Sequence, residues 1–263
     1  MHNIIKYNDT KISYSDTGEG FPIVLLHGYL ESLLVWENFS KKLETTNRVI
    51  SIDLPGHGNS ESQSNIHTMK YMADSVNTVL EHLNVKECLM IGHSMGGYVT
   101  MEFLNNYPEK LKAICLFHST PFADSEEKKQ VRSRLIEAIE AGKHVSLAKE
   151  HVEKTFAPEN LEKFVEQIGF LKIIAINTKP NGNIAALKGM KERKDFSTLL
   201  EQIKIPSLWI FGKHDNFIDI DILKKIKLNN TKVSILNNSG HQGYIEEEEK
   251  SYEIIKEFLN EIQ

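Results

Sequence analysis

The sequence predicts an α/β protein: a mostly parallel, eight-stranded sheet with helices on both faces and an inserted, purely helical segment. Two observations lead there. Short, continuously apolar runs alternate with segments whose apolar residues recur at helical spacing, the signature of parallel strands buried on both sides. That alternation stops between residues 119 and 194, where only helical patterns occur, and then resumes. The expected organisation is therefore a sheet domain of residues 1–118 and 195–263 with a helical lid of residues 119–194.

The elements follow in order. Ile4 to Tyr7 and Ile12 to Tyr14 alternate apolar with polar around Asn8-Asp9, as an antiparallel edge hairpin does. Pro22 to Leu26 reads as the first buried strand and ends at His27-Gly28-Tyr29; Leu33, Trp36, Phe39 and Leu43 then mark a helix. Arg48 to Ile52 is the next strand. It ends at Asp53-Leu54-Pro55-Gly56-His57-Gly58-Asn59-Ser60, an irregular loop by its proline and glycines. Met72, Val76, Val79, Leu80 and Leu83 make another helix face, Glu87 to Ile91 a strand, and Ala113 to Phe117 one more. In the helical segment, Asp124 and Glu127 have capping-box spacing before Val131, Leu135 and Ile139, and Gly142 stops that helix. Pro158 can open a helix through Leu161, Phe164, Val165, Ile168 and Leu171, and Pro180-Asn181-Gly182 breaks the chain before Ile184 and Leu187. Phe196 to Ile203, the strand Pro206 to Phe211, a short helix near Asp221 to Ile226, the strand Val233 to Leu236 and a last helix through Tyr252, Ile255, Phe258 and Leu259 restore the alternation. The acidic run Glu246 to Glu249 is expected to open that last helix, where negative charge suits the dipole.

Composition narrows the function classes. A chain of 263 residues, 40% hydrophobic and 25% charged, can bury one large core. A net charge of −5 speaks against nucleic acid or an anionic membrane as partner, since both need a basic face. A small-molecule substrate fits; the sequence specifies no protein partner. The start Met1-His2-Asn3-Ile4-Ile5-Lys6 has no signal-peptide core and no apolar run is long enough to span a bilayer, so a cytoplasmic location is expected. Cys88 and Cys115 lie in strand-like runs and read as buried thiols.

The chemistry is expected at the carboxyl ends of the strands. Gly92-His93-Ser94-Met95-Gly96-Gly97 places a serine between an apolar run and an amphipathic one, where a sharp strand-to-helix turn lifts its hydroxyl clear of the sheet. The flanking glycines are what such a turn requires. The Met95 N–H, at the helix start, can stabilise an oxyanion. A serine nucleophile needs a base, and the base a carboxylate to fix its tautomer. His241 follows the last strand and Asp215 the one before it; the order Ser94, Asp215, His241 suits a triad on this architecture. Asp219 and Asp221 sit where the following helix begins and read as caps. His27 and His57 read as loop anchors, His93 and His118 as packed beside the site, Asp53 as a loop anchor, and Arg132 and Arg134 as solvated arginines on an amphipathic helix. No His, Cys or carboxylate grouping has zinc-ligand spacing and no Gly-rich phosphate loop follows the first strand, so no metal or cofactor is expected.

On His27-Gly28, Asp53 to Ser60, Gly92 to Gly97, Gly212 with Asp215, and Gly240-His241, essentially the whole chain resembles the α/β-hydrolase superfamily, in particular its lid-bearing single-domain serine hydrolases. The resemblance implies the α/β-hydrolase fold, Ser94 as nucleophile, His241 as base, Asp215 as its acid, and the N–H groups of Tyr29 and Met95 as the oxyanion hole. It excludes haloalkane dehalogenases and epoxide hydrolases, which carry aspartate where this chain has Ser94. The expected activity is hydrolysis of a small ester-like substrate through an acyl-enzyme, without a cofactor. The alternatives are a carbon–carbon bond hydrolase or menaquinone-pathway-like lyase, and a ligand-sensing protein that keeps the triad.

Overall fold

The structure, a computed structural model, describes residues 2–263. Its strands run Asn3–Tyr7 (β1), Thr10–Thr17 (β2), Phe21–Leu26 (β3), Asn47–Ile52 (β4), Cys88–His93 (β5), Leu111–Phe117 (β6), Ser207–Gly212 (β7) and Thr231–Leu236 (β8). They form one sheet in the order β1-β2-β4-β3-β5-β6-β7-β8. The turn between β1 and β2 has positive φ at both Asn8 (45°) and Asp9 (62°), the two-residue geometry that matches the twist of an antiparallel pair. β2 also runs antiparallel to β4; every later pairing is parallel.

Side chains alternate across the sheet, so consecutive apolar residues of a parallel strand serve two cores. On one face Val24, Leu26, Met90 and Ile114 pack with Met72, Val76 and Leu80 of α2 (Met69–His82) after α1 (Glu37–Leu43), and with Val99 of α3 (Met95–Asn106). On the other, Ile23, Leu25, Leu89 and Ile91 meet Trp36, Phe39 and Leu43. Four helices follow β6: α4 (Glu126–Glu140), α5 (His144–Thr155), α6 (Val165–Asn177) and α7 (Pro180–Lys191). The short α8 (Ser197–Glu201) leads back to β7, and α9 (Gly243–Glu246) and α10 (Glu248–Ile262) close the chain, α10 adding Ile255, Phe258 and Leu259 to the second core.

Several local expectations are corrected. Ser125, not Asp124, caps α4: its side chain accepts from the Lys128 N–H, because Asp124 is turned inward. Gly142 does stop α4, at φ +81°. Pro158 opens only a 3₁₀ turn, Pro158–Asn160, and the segment near Asp221 is also 3₁₀, Ile220–Lys225. Pro180-Asn181-Gly182 is the first turn of α7 rather than a break, since proline at a helix's first position gives up only an N–H that lacks a partner anyway. α5 was not expected. Glu246 and Glu247 precede α10 and accept loop N–H groups: Glu246 Oε1 from Gly240 (2.8 Å) and Glu247 Oε2 from Asn238 (2.8 Å).

Backbone-to-backbone contacts fasten the helical segment to the sheet. α7 lies so close to the loop after β4 that a Cβ on Gly182 would sit 2.4 Å from the Gly56 carbonyl oxygen, and one on Gly189 would sit 1.7 Å from that of His67. Between them the His67 N–H donates to the Ala185 carbonyl (3.0 Å). At the other end, a Cβ on Gly240 would sit 2.5 Å from the Ala157 nitrogen just past α5.

Candidate active site

Ser94 stands between β5 and α3 with φ 50° and ψ −113°, a conformation that costs an ordinary residue of order 1–3 kcal/mol and must be held by its surroundings. Three hydrogen bonds hold it: its N–H donates to the Phe117 carbonyl (3.0 Å), and its own carbonyl accepts from the Ser119 hydroxyl (2.7 Å) and the Gly97 N–H (3.0 Å). The turn closes only on glycine. A Cβ at Gly92 would meet the Gly96 carbonyl at 2.4 Å, and one at Gly96 would meet that of Leu26 at 2.4 Å. Met95 is the first residue of α3, so its N–H has no partner within the helix. Tyr29 lies in the loop after β3, and its hydroxyl donates to Asn183 Oδ1 on α7.

Asp215, past the end of β7, is a carboxylate with no exposed side-chain surface and four donors. Oδ1 accepts from the Phe217 (2.7 Å) and Ile218 (3.0 Å) N–H groups, and Oδ2 from His241 Nδ1 (2.7 Å) and His118 Nδ1 (3.2 Å). Burial alone would raise its pKa, but the charge of His241 and the hydrogen bonds of both imidazoles hold it well below the usual carboxylate range. His241 directs Nδ1 at Asp215, which leaves Nε2 as the ring nitrogen turned away from the carboxylate.

His118 is wholly buried and neutral, its pKa pushed down to about 4 by burial against the opposing pull of Asp215. The Gly243 N–H donates to its Nε2 (3.2 Å), so the single ring proton sits on Nδ1 and points at Asp215. The other tautomer would satisfy the Gly212 N–H (3.1 Å) at the expense of both partners. His118, Asp215 and His241 bring ligand-type atoms within 4.8 Å of one another, close enough to hold an ion, but the near ring atoms are occupied as donors to the carboxylate.

Beside these groups lies a buried ion pair. His93 Nδ1 donates to Glu31 Oε2 (2.9 Å) and Nε2 donates to the His241 carbonyl (2.8 Å). Both partners are acceptors, so His93 is an imidazolium; burial disfavours that charge, yet Glu31 more than compensates and raises the pKa. Glu31 also accepts from the Gly28 N–H (2.6 Å), Gln242 Nε2 (3.0 Å) and the Tyr244 hydroxyl (3.3 Å). One carboxylate thus ties together the loop of Tyr29, the strand that leads to Ser94 and the loop of His241. His93 is packed beside the site, as expected. His27 accepts at Nε2 from the Leu54 N–H (2.9 Å), and Asp53 accepts from the N–H groups of Leu33 (2.8 Å) and Asn59 (2.9 Å), both holding loops.

Ser94 and His241 face a common cavity of about 230 Å³, below the ~300–1,000 Å³ usual for ligand pockets. α4 lines it with Lys128, Val131, Arg132 and Leu135, one face at helical spacing, and α7 adds Leu187 and Met190. His151 of α5 forms another wall, its ring edge-on to Tyr29 (5.4 Å between centroids). The sequence reading missed His151 because it missed α5, although Val145, Ala148 and Val152 have helical spacing. Arg132 is the main correction: it is not solvated but lines the cavity, with Nε donating to Asp124 Oδ2 at 2.5 Å. Arg134 remains exposed.

The pattern of the alpha/beta hydrolase fold family matches residues 22–248. Over 98% of its length the chain is 28% identical to an AB hydrolase superfamily protein, YisY, of Bacillus subtilis, spanning 99% of that protein. It is 25% identical to a pimeloyl-acyl-carrier-protein methyl ester esterase of Aeromonas hydrophila, over 94% of this chain and 99% of that one. Among solved structures, a thermophilic esterase from Thermogutta terrifontis superposes with a TM-score of 0.94 at 26% identity, covering 100% of this chain and 99% of that one.

Proposed function

The chain belongs to the alpha/beta hydrolase fold family, and from that membership we propose that it is a serine hydrolase of small esters, with Ser94 as nucleophile, His241 as base and Asp215 as the orienting acid. The observation that carries this reading is the Asp215–His241 contact of 2.7 Å beside the backbone-strained Ser94, with Ser94 and His241 on one small cavity. Esterases among the relatives and solved structures support it.

In the proposed reaction Ser94 Oγ attacks the ester carbonyl carbon as its proton passes to His241 Nε2. The imidazolium is stabilised by Asp215, whose second oxygen is already fixed by two backbone donors. Negative charge on the carbonyl oxygen is met by the N–H groups of Tyr29 and Met95. The alcohol departs with the proton held by His241. Water then attacks the acyl-enzyme, gives a proton to His241, and the carboxylic acid leaves as that proton returns to Ser94. No step needs a cofactor. The helices α4 and α7 act as the lid over the acyl group, and the cavity volume restricts that group to a short chain.

The test is Ser94→Ala. It is expected to keep its fold and lose turnover of short activated esters by about four to six orders of magnitude, while a fluorophosphonate labels the unaltered chain on Ser94. Labelling at another residue, or undiminished turnover in the variant, overturns the reading.

A further inference from the structure

Asp124 sits between two guanidinium groups and has no exposed side-chain surface. Arg132 on α4 approaches it with Nε (2.5 Å) and Nη2 (3.3 Å), and Arg193, just past α7, with Nη1 (2.5 Å). Arg193, whose side chain is 4% exposed, is not among the residues that line the cavity: its Nε donates to the Phe122 carbonyl (2.9 Å), Nη1 also to that of Met190 (3.2 Å), and its Cζ lies 3.9 Å from the centre of the Tyr98 ring. Arg132 does line the cavity with Ser94; its side chain is 16% exposed, and among the described residues no acceptor engages its Nη1.

Two cations share one anion, which leaves one positive charge in a partly desolvated place. Such a charge is expensive unless something pairs with it. The other charged lining residue, Lys128, is also a cation, exposed at the rim with its ammonium 3.5 Å from the Phe217 carbonyl, and no lining residue is acidic. His151 cannot supply or remove charge near neutrality, because burial first, and then the charge of His241, push its pKa down to about 4. One arginine held by a buried carboxylate through Nε and Nη2 and lining a cavity is suited to a planar anion, which its Nη1 end can engage without first losing side-chain freedom.

We infer that Arg132, held by Asp124, is a specificity-determining residue for a substrate that carries one carboxylate remote from the bond to be cleaved: a half-ester of a short dicarboxylic acid. The one surplus charge of the Arg132–Asp124–Arg193 cluster matches one carboxylate, and Lys128 at the rim adds no negative charge to oppose it. This rests on the ester-hydrolase reading of the same site, which places the reacting carbonyl at Ser94 and leaves α4 to contact the distal end. Arg132 makes no contact with the reacting atoms and takes no proton; its effect is on binding.

The experiment compares methyl half-esters of C3 to C6 dicarboxylic acids with neutral isosteres in which an isopropyl group replaces the carboxylate, for instance monomethyl glutarate against methyl 5-methylhexanoate, by methanol release. A charged hydrogen bond in such a site is expected to favour the best half-ester by about 10- to 100-fold in kcat/KM, chiefly through KM. In Arg132→Gln that ratio should collapse towards unity. Calorimetric titration of monomethyl glutarate into Ser94→Ala gives a second readout that needs no turnover: binding is expected, and it should be lost in Ser94→Ala combined with Arg132→Gln. A neutral isostere hydrolysed as well as its half-ester by the unaltered chain, or a ratio unchanged by Arg132→Gln, overturns the inference while leaving the esterase reading intact. Half-ester binding in the calorimeter with no turnover of any ester would instead overturn the esterase reading and keep the anion site. Should Arg132→Gln fail to fold, the comparison on the unaltered chain still decides.

Discussion

Asp215 has competitors in sequence, and hydrogen bonding separates them. It accepts from two backbone N–H groups and two imidazoles, whereas Asp219 accepts only from the N–H of Asp221, as the cap of a 3₁₀ turn. Replacing Asp215 by asparagine lets the amide present an N–H to the ring, which favours the wrong imidazole tautomer. Asp215→Asn is therefore expected to lower kcat/KM for a short activated ester by about 10⁴-fold. Asp219→Asn should cost less than about tenfold, with any loss following a stability change of order 1 kcal/mol for a weakened cap. Comparable losses in the two variants, with both folded by circular dichroism, would remove Asp215 from the acid role. At this scale the sequence displays what spacing and strand ends control: Ser94, Asp215 and His241 each stand in a loop just after a strand. It hides what depends on convergence. Glu31 and His118 acquire their partners only when four separate loops meet, and Arg132 looks like any solvated arginine until Asp124 and Arg193 are folded around it.

Glycines on two of the helices after β6 show how packing decides the effect of one substitution. In an open helix, glycine to alanine stabilises by about 1 kcal/mol, because the backbone loses less entropy on folding. Gly169, in α6, has nothing within 4 Å of a built Cβ, so Gly169→Ala is expected to raise stability by up to that amount. Gly189, in α7, has the His67 carbonyl carbon at 2.4 Å and its oxygen at 1.7 Å, so no rotamer can relieve the overlap. There overpacking outweighs propensity, and Gly189→Ala should destabilise by about 1–3 kcal/mol. Urea unfolding of the two variants checks the pair; the same sign in both would mean that α7 does not lie on this loop. These glycines also show why the elements after β6 are less legible in the sequence than the sheet. Continuous apolar runs announce buried parallel strands directly. Pro180-Asn181-Gly182 reads as a break only because the reason for Gly182, its approach to Gly56, is invisible without the fold. α5 escaped because its apolar positions, though helically spaced, are few among Lys, Glu and His, so its stability comes from docking on neighbours.

Across the whole molecule, burial of neutral histidines should set the acid limit of stability. His27, His57, His67, His118 and His151 all have pKa values lowered first by burial, which penalises the cation: His57 to about 3, and His67, His118 and His151 to about 4. In the unfolded chain each titrates near ~6.5. Between those values the unfolded state binds protons that the native state does not, so stability rises with pH and falls on acidification through this window. Two groups run against the trend or stand apart from it. Glu246 has its pKa raised by burial, so the native state takes up one proton before the unfolded state does, opposing the histidines just above the ordinary carboxylate range. His93, raised by Glu31 against the cost of burial, is charged in both states below ~6.5 and contributes no slope there; its stabilisation is lost instead as pH rises through its native value. The balance is up to five protons against one, each worth about 1.4 kcal/mol per pH unit where its titration is complete in one state only. Urea midpoints measured from pH 7 down to pH 4.5 should therefore fall steeply, well before the carboxylates of Asp215 and Glu31, both held below their usual range despite burial, begin to protonate. His67, whose ring lies against the loop that receives α7, isolates one share: His67→Asn should reduce the slope by about one proton. A flat profile between pH 6.5 and 4.5 would mean that these histidines are charged in the native state, and the neutral His118 that donates to Asp215 would then be ruled out with them.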